Sequence, residues 1–360
     1  PLSAAVNTAV ALAKANRCAW AAGFVNGLLR RAAAGTGQIP WPDPTQSPAD
    51  ALALEHALPR WLTARWIDRW GVETTGRLGV FLNTIPDITL RTNTLKTDRR
   101  RLMAAIEKEA RRLSITQRSP EGVRLAQLAR PITQMPAYRK GWFQVQDEAA
   151  QLVSHLLAPR PDETVWDACA GLGTKSGHLA QLMKNRGTIV ATDISSTKRD
   201  CLGREMQRLG VAIVHGHAAD LTTPASLPQL PMFDRILMDA PCSGLGVLQK
   251  NPDGKWRHAP EDLFAYHQRQ VIMLDTASRR LRPGGRLVYA VCSMEPEENE
   301  SVVKAFLQSH PEFAIDSCGT NLADIATALG DALNSEGCLR SFPHQHGMDG
   351  FFAASLMKQA

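Results

Sequence analysis

Apolar residues follow two different periods along this chain, and the change from one to the other divides it. Up to residue 34 the spacing is helical: Val6, Val10 and Ala13 share one stripe, and Phe24, Val25, Leu28 and Leu29 share another. This is helix-bundle material. Residues 35–48 then hold four prolines and two glycines, the composition of a linker. A helical pattern restarts with Leu52, Leu54, Trp61, Leu62, Trp66 and Trp70, and residues 88–93 read as a strand. We expect a small α+β unit ending near residue 138. Tryptophans at helical spacing read as core rather than as a platform for bases.

From Gly141 onward the pattern alternates. Short apolar runs at 164–167, 188–192, 212–217, 235–238 and 285–289 are separated by helix-like segments, which calls for a parallel sheet with crossover helices. Chemistry-bearing residues follow each run. Gly171 and Gly173 come after the first, Asp193 after the second, Asp220 after the third, Asp239 and Cys242 after the fourth, and Cys292 after the fifth. Open α/β sheets bind ligands beyond the carboxyl ends of their strands, so all of these should face one crevice. Glycines there let backbone approach a ligand at a helix amino terminus. An acid about 20 residues further on suits a ribose hydroxyl. A dehydrogenase fits that much, but the glycine spacing is not G-x-G-x-x-G and no residue carries hydride chemistry.

Composition narrows the choice. The 360 residues are 44% apolar, as in a globular protein of two or three domains. Seven cysteines, an odd number, and no apolar stretch approaching about 20 residues point to a reducing cytoplasm without a membrane span. No signal peptide is visible, and a chain beginning at Pro1 reads as a fragment of something longer. Residues 60–140 carry seventeen Lys and Arg against seven Asp and Glu, a balance of +10 in a chain of net charge +6. Such a block suits a phosphate backbone. Arg99, Arg100, Arg101, Lys108, Arg111 and Arg112 also fit a solvated helix face, since they fall in one helical pattern. There is no C-x-x-C pair and no ligand spacing among the histidines, so we expect no metal. Cys18, Cys169, Cys201, Cys318 and Cys338 read as small hydrophobes, and His178 and His258 are left without chemistry. Asp193 and Asp220 have a plainer alternative as helix caps.

The two matched cysteine settings, Asp239-Ala240-Pro241-Cys242 and Ala290-Val291-Cys292-Ser293, make a resemblance specific. They are similar to the signatures of the Sun-type, S-adenosylmethionine-dependent RNA cytosine-5 methyltransferases: Pro-Cys after the fourth strand and Thr-Cys-Ser after the fifth. Gln146 to Gln151, Asn251 to Trp256 and Gly347 to Phe352 resemble further segments of that family. Leu90 to Leu95 resembles its small leading subdomain, and Ala4 to Arg31 the last helices of the NusB-like RNA-binding domain of its 16S rRNA branch. The resemblance implies three parts: a partial helical NusB-like domain at 1–48, a basic α+β subdomain at 49–138, and a Rossmann-like class I methyltransferase domain at 139–360. It implies Cys292 as the nucleophile that adds to carbon 6 of cytosine, Cys242 as the thiol assisting release, and Asp239 as a hydrogen-bonding partner of the base. Cofactor contacts fall to Cys169, Ala170, Gly171, Gly173 and Lys175 in the glycine loop, Asp193 and Lys198 near the ribose, Asp220 near the adenine, and Asp239.

The chain departs from the family at Val291, where threonine is usual, in the loop Ala170-Gly171-Leu172-Gly173-Thr174-Lys175, and at Lys198, where arginine is common. These bear on cofactor affinity rather than reaction class. The expected partner is RNA, foremost 16S rRNA, with a monomeric enzyme in the cytoplasm. A transfer RNA substrate and a catalytically weak assembly factor are the rivals; the helical start argues against the first, the paired cysteines against the second.

Overall fold

The apolar runs at 164–167, 235–238 and 285–289 form strands whose alternate residues enter two different cores, while the run at 212–217 forms an edge strand that is exposed beyond Val214. The computed structural model describes residues 2–35, 41–316 and 329–359; Cys318 and linker positions 36–40 lie outside them. The chain divides into two compact units, residues 1–63 and 64–360.

The first unit contains α1 (Leu2–Ala15), α2 (Ala22–Gly35) and α3 (Pro48–Glu55). The helical reading of residues 1–34 holds, except that a break at 16–21 makes it two helices, with Arg17 at φ 61°. Helix α4 (Arg60–Leu82) follows, interrupted by Gly71 at φ 81°. Trp66 is fully buried, as expected of a core residue.

In the second unit, β1 (Ile88–Thr92), α5 (Arg99–Ile106), β2 (Ala110–Ile115), β3 (Gly122–Leu128), the one-turn α6 (Pro136–Arg139) and β4 (Phe143–Val145) build a small subdomain. Its antiparallel sheet has the order β2-β3-β1-β4. Leu90, Leu102, Ile106, Val123 and Phe143 fill its core. Arg111 and Arg112 do not continue the helix of Arg99 to Arg101. They lie on β2, where Arg112 sits opposite Ala126 of β3. Strand pairing with β3 overrides the local helical pattern there.

The larger sheet gathers β5 (Thr164–Asp167), β6 (Thr188–Thr192), β7 (Val214–His217), β8 (Phe233–Asp239), β9 (Leu281–Val291), β10 (Phe313–Ile315), β11 (Leu339–Ser341) and β12 (Phe351–Lys358). The order is β10-β12-β9-β8-β5-β6-β7, with β11 also on β12. Strands β5 to β9 pair in parallel as expected, but β10, β11 and β12 run antiparallel at one edge. Helices α7 (Glu148–Leu157), α8 (Thr174–Leu182), α9 (Ser196–Leu209), α10 (Pro260–Ser278), α11 (Glu300–Ser309) and the one-turn α12 (Pro343–His346) complete the unit. Trp166, Ile236, Met238, Leu287, Tyr289 and Val291 point into one core with residues of α10 and α11. Val165, Leu237, Val288 and Ala290 point into the other, with residues of α7 and α8. Burial on both faces is why these strands read as unbroken apolar runs. Among the described residues no helix is long and apolar enough to cross a membrane.

Candidate active site

Strands β8 and β9 are parallel neighbours, with Asp239 opposite Ala290 in the register. Their carboxyl ends therefore deliver the following loops to the same place, and the Sγ atoms of Cys242 and Cys292 lie 3.3 Å apart. The loops are stitched together as well. Gly246 N donates to the Cys292 carbonyl at 3.0 Å, and Gly350 N donates to the Gly246 carbonyl at 2.8 Å. A Cβ on Gly246 would stand 1.9 Å from the Gly350 carbonyl oxygen, so only glycine permits this approach. The hydrogen bond shared with Cys292, together with burial, pushes the Cys242 thiol well above its ordinary range.

Lys175, on the first turn of α8, reaches across to Asp239 and forms an ion pair with it. Burial works to lower the Lys175 ammonium, but the Asp239 carboxylate outweighs it and the net shift is upward, so the lysine stays charged. Cys292 lies close enough to add to that shift, which places a fixed cation in the field of the thiol pair. Lys175 thus faces the thiols and Asp239. Beneath them Asp167, buried at the end of β5, accepts from Ser176 Oγ at 2.6 Å. Burial raises its carboxyl to about 6, with the Asp239 charge adding to the effect.

A cavity of about 280 Å³ opens beside this centre, bordered by Cys169, Asp193, Lys198 and Asp220 together with apolar walls from Ile194, Leu221, Pro241 and Met273. Asp193 does not cap α9; Ser195 does, accepting from Lys198 N at 3.4 Å. The Asp193 carboxylate instead accepts from Gly171 N at 3.1 Å and Ser195 N at 2.8 Å, which fixes it at the cavity edge. Lys198 Nζ stands 3.8 Å away. Asp220 accepts from both the backbone and the hydroxyl of Thr222, at 2.9 and 2.6 Å, and these bonds hold it below the usual carboxylate range. Gly171 at φ 57° and Gly173 at φ 82° make the turn into α8, and Ala170 N donates to the Thr192 carbonyl at 2.9 Å. Two acids on an apolar slot, one beside a glycine turn, suit a nucleoside: carboxylate lone pairs for ribose hydroxyls, flat apolar walls for a base. Cys169 does border the cavity, but burial pushes its thiol well above its ordinary range. It remains a small hydrophobe by character.

Other sequence segments converge too. Lys250 pairs with Asp147 and, at 2.9 Å, with Asp349, while Asp349 N donates to Asp147 at 3.0 Å. These three come from the segments near 146–151, 251–256 and 347–352. Arg269 and Met273 of α10 also line the cavity, and sequence reasoning did not single them out; their i, i+4 spacing on one helix was the available signal. It also missed Glu295 and Glu298 in the acidic run directly after Cys292. Glu295 is fully buried and takes hydrogen bonds from Trp66 Nε1 at 2.8 Å and Arg69 at 2.9 Å, with Arg65 as a further partner.

Histidine spacing concealed one more cluster. Glu121, His155 and His178 arrive from three separate elements, with ligand-capable atoms within 4.8 Å of one another. Burial holds His178 well below the usual imidazole range, and the buried guanidinium of Arg91 adds to this. That same cation disfavours a metal ion, and Glu121 already pairs with His155 at 2.8 Å.

Known proteins share this architecture. A model of the family described as 16S rRNA methyltransferase RsmB/F matches residues 154–357. A ferredoxin-like domain of RsmF/B-like methyltransferases matches 58–132, and the NusB family matches 1–34. The chain is 36% identical to the probable ribosomal RNA small subunit methyltransferase B of Synechocystis, across 99% of this chain and 79% of that one. With the Bacillus subtilis protein of the same name the identity is 34%, covering 100% and 79%. A methyltransferase homolog from Pyrococcus horikoshii superposes with a TM-score of 0.73 at 28% identity, over 88% of this chain and all of that one.

Proposed function

The chain belongs to the 16S rRNA methyltransferase RsmB/F family and is an S-adenosylmethionine-dependent rRNA methyltransferase; from that premise we propose that it methylates carbon 5 of a cytosine through a transient bond from Cys292. The observation that carries this reading is the pair of thiols 3.3 Å apart at the ends of β8 and β9, beside the Lys175–Asp239 ion pair. One thiol suffices to attack, and the second, in contact with it, is likewise free of any disulfide.

The cavity with Asp193 and Asp220 fits the cofactor, which when bound supplies an electrophilic methyl group. Asp193 would hold the ribose and Asp220 the adenine side, with Ile194 and Leu221 as walls. Carbon 5 of cytosine is a weak nucleophile. Addition of the Cys292 thiolate at carbon 6 converts the ring to an enamine-like form that accepts a methyl at carbon 5. Asp239, held by Lys175, would bind the base at nitrogen 3 or its amine and stabilise the adduct. Transfer of the carbon 5 proton to water then expels the Cys292 sulfur and restores the aromatic ring. Cys242, protonated as its surroundings demand, stands where it would assist that release.

We take 16S rRNA as the substrate, in the cytoplasm, with a monomeric enzyme in three parts at 1–48, 49–138 and 139–360. The family model and the helical segment matched by the NusB family support this over transfer RNA. Bisulfite sequencing of 16S rRNA incubated with the protein tests it: a new protected cytosine is expected, and protection only in transfer RNA would redirect the substrate. Cys242→Ala should leave a covalent protein–RNA complex that survives a denaturing gel, absent when Cys292→Ala is added. A band persisting in the double variant would show that another residue forms the bond.

A further inference from the structure

The two thiols are held in register by something other than the strands, because each lies on a loop. The residue after Cys242 is Ser243, and the residue after Cys292 is Ser293. Both are bound by one carboxylate. Glu298, fully buried, accepts from Ser243 N at 2.8 Å and Ser243 Oγ at 2.5 Å, and from Ser293 Oγ at 2.5 Å. Gln270 of α10 donates to the same carboxylate at 3.2 Å and to the Pro241 carbonyl at 3.0 Å, tying the clamp to the Cys242 loop a second time. Glu298 is itself fixed: its carbonyl accepts from the Tyr289 hydroxyl at 2.5 Å, and Asn299 donates to the Ser293 carbonyl at 3.2 Å.

We propose that Glu298 is the positioning residue of the thiol pair, a carboxylate clamp that joins the Cys242 loop to the Cys292 loop and sets the separation of their sulfurs. The catalytic meaning rests on the reading of Cys292 as nucleophile; the geometric meaning does not. Short O–H···O⁻ bonds in a buried site are strong, so four donors on one carboxylate leave the loops little freedom. The clamp's charge also bears on the thiols, since Glu298 contributes to the upward shift of Cys242. It would keep Cys242 protonated until its proton is needed. A merely structural acid would hold the loops without affecting which sulfur ionises.

The test reads the thiols on the full-length protein alone. Diamide, an azo oxidant, takes the two thiol hydrogens as the Cys242–Cys292 disulfide forms, and mass spectrometry of the linked peptides follows its rate. Glu298→Ala should slow closure about tenfold or more, because sulfurs that are not held together meet rarely. Should that variant fold poorly by circular dichroism, Ser243→Ala with Ser293→Ala removes two of the clamp's donors, leaves the carboxylate in place, and should slow closure likewise. In Glu298→Gln the pH midpoint of closure should move downward, since a negative charge facing the thiols is gone. Methylation kcat should fall on the order of 10²-fold in Glu298→Ala, with cofactor affinity unchanged. Closure at the wild-type rate in a folded Glu298→Ala or in the double serine variant overturns the clamp. Slow closure with undiminished methylation overturns its catalytic role, and leaves the assignment of Cys292 to be judged on its own variant.

Discussion

The crevice at the ends of β8 and β9 and the basic subdomain of β1 to β4 handle charge in opposite ways. In the crevice the charged and hydroxyl groups are paired with one another: Lys175 with Asp239, Ser176 with Asp167, Ser243 and Ser293 with Glu298. In the subdomain Arg100, Arg101 and Arg111 are exposed, and none forms an ion pair among the described residues. Other basic residues of the same block are already engaged: Arg91 is buried and donates to the Thr174 carbonyl at 2.8 Å, and Arg118 and Arg124 pair with Asp331 and Glu148. Bond making demands positions accurate to a fraction of an ångström, and fixed partners supply them. Attraction of a polyanion demands only charge, and exposed arginines serve it better unpaired.

Substitutions sharpen that contrast, most severely at the thiol. Cys292→Ala should lower methylation by about 10⁴-fold or more while cofactor affinity holds, since the neighbouring Cys242 thiol is held protonated and does not replace the lost nucleophile. Transfer at near wild-type rate, measured with radiolabelled methyl, would remove Cys292 from its role.

The subdomain should respond by degrees. Reversing Arg100, Arg101 and Arg111 should flatten the dependence of log RNA affinity on log salt by roughly 0.7 to 0.9 for each phosphate that is no longer neutralised. Cofactor affinity should not change. An unchanged slope in a protein with intact circular dichroism would make these arginines a solvated face and move RNA capture elsewhere.

The smallest effect concerns Asp167. Its carboxyl is raised to about 6 by burial, so the folded state holds this proton more tightly than the unfolded chain, where the group titrates near 3.8. Its contribution to stability is complete below the unfolded value and is lost as pH rises through about 6. Asp167→Asn should therefore raise Tm relative to wild type more at pH 7.5 than at pH 4.5, by a few degrees at most. A gap that is the same at both pH values would mean Asp167 is charged in the fold.

The alternation of strands and helices beyond residue 141 was legible in the sequence, as was the placing of each reactive residue at or just past the end of a strand. Those are local properties: a buried strand must be apolar on both faces, and the residues that end it are free to be polar. The tryptophan pattern of α4 and the glycine turn into α8 were legible for the same reason. It also exposed both cysteines, because matched surroundings at two places carry information that one place does not. What it did not contain was distance. That the loops of Cys242 and Cys292, fifty positions apart, meet at all follows from β8 and β9 being parallel neighbours, and their sulfurs then lie 3.3 Å apart. The convergence of Asp147, Lys250 and Asp349, the gathering of Glu121, His155 and His178, and the Glu298 clamp depend likewise on crossings between elements distant along the chain. Arg111 and Arg112 show the limit from the other side: their helical spacing was real, and the pairing of β2 with β3 overrode it. Periodicity reports which face a residue occupies, and only the packed sheet decides which face it meets.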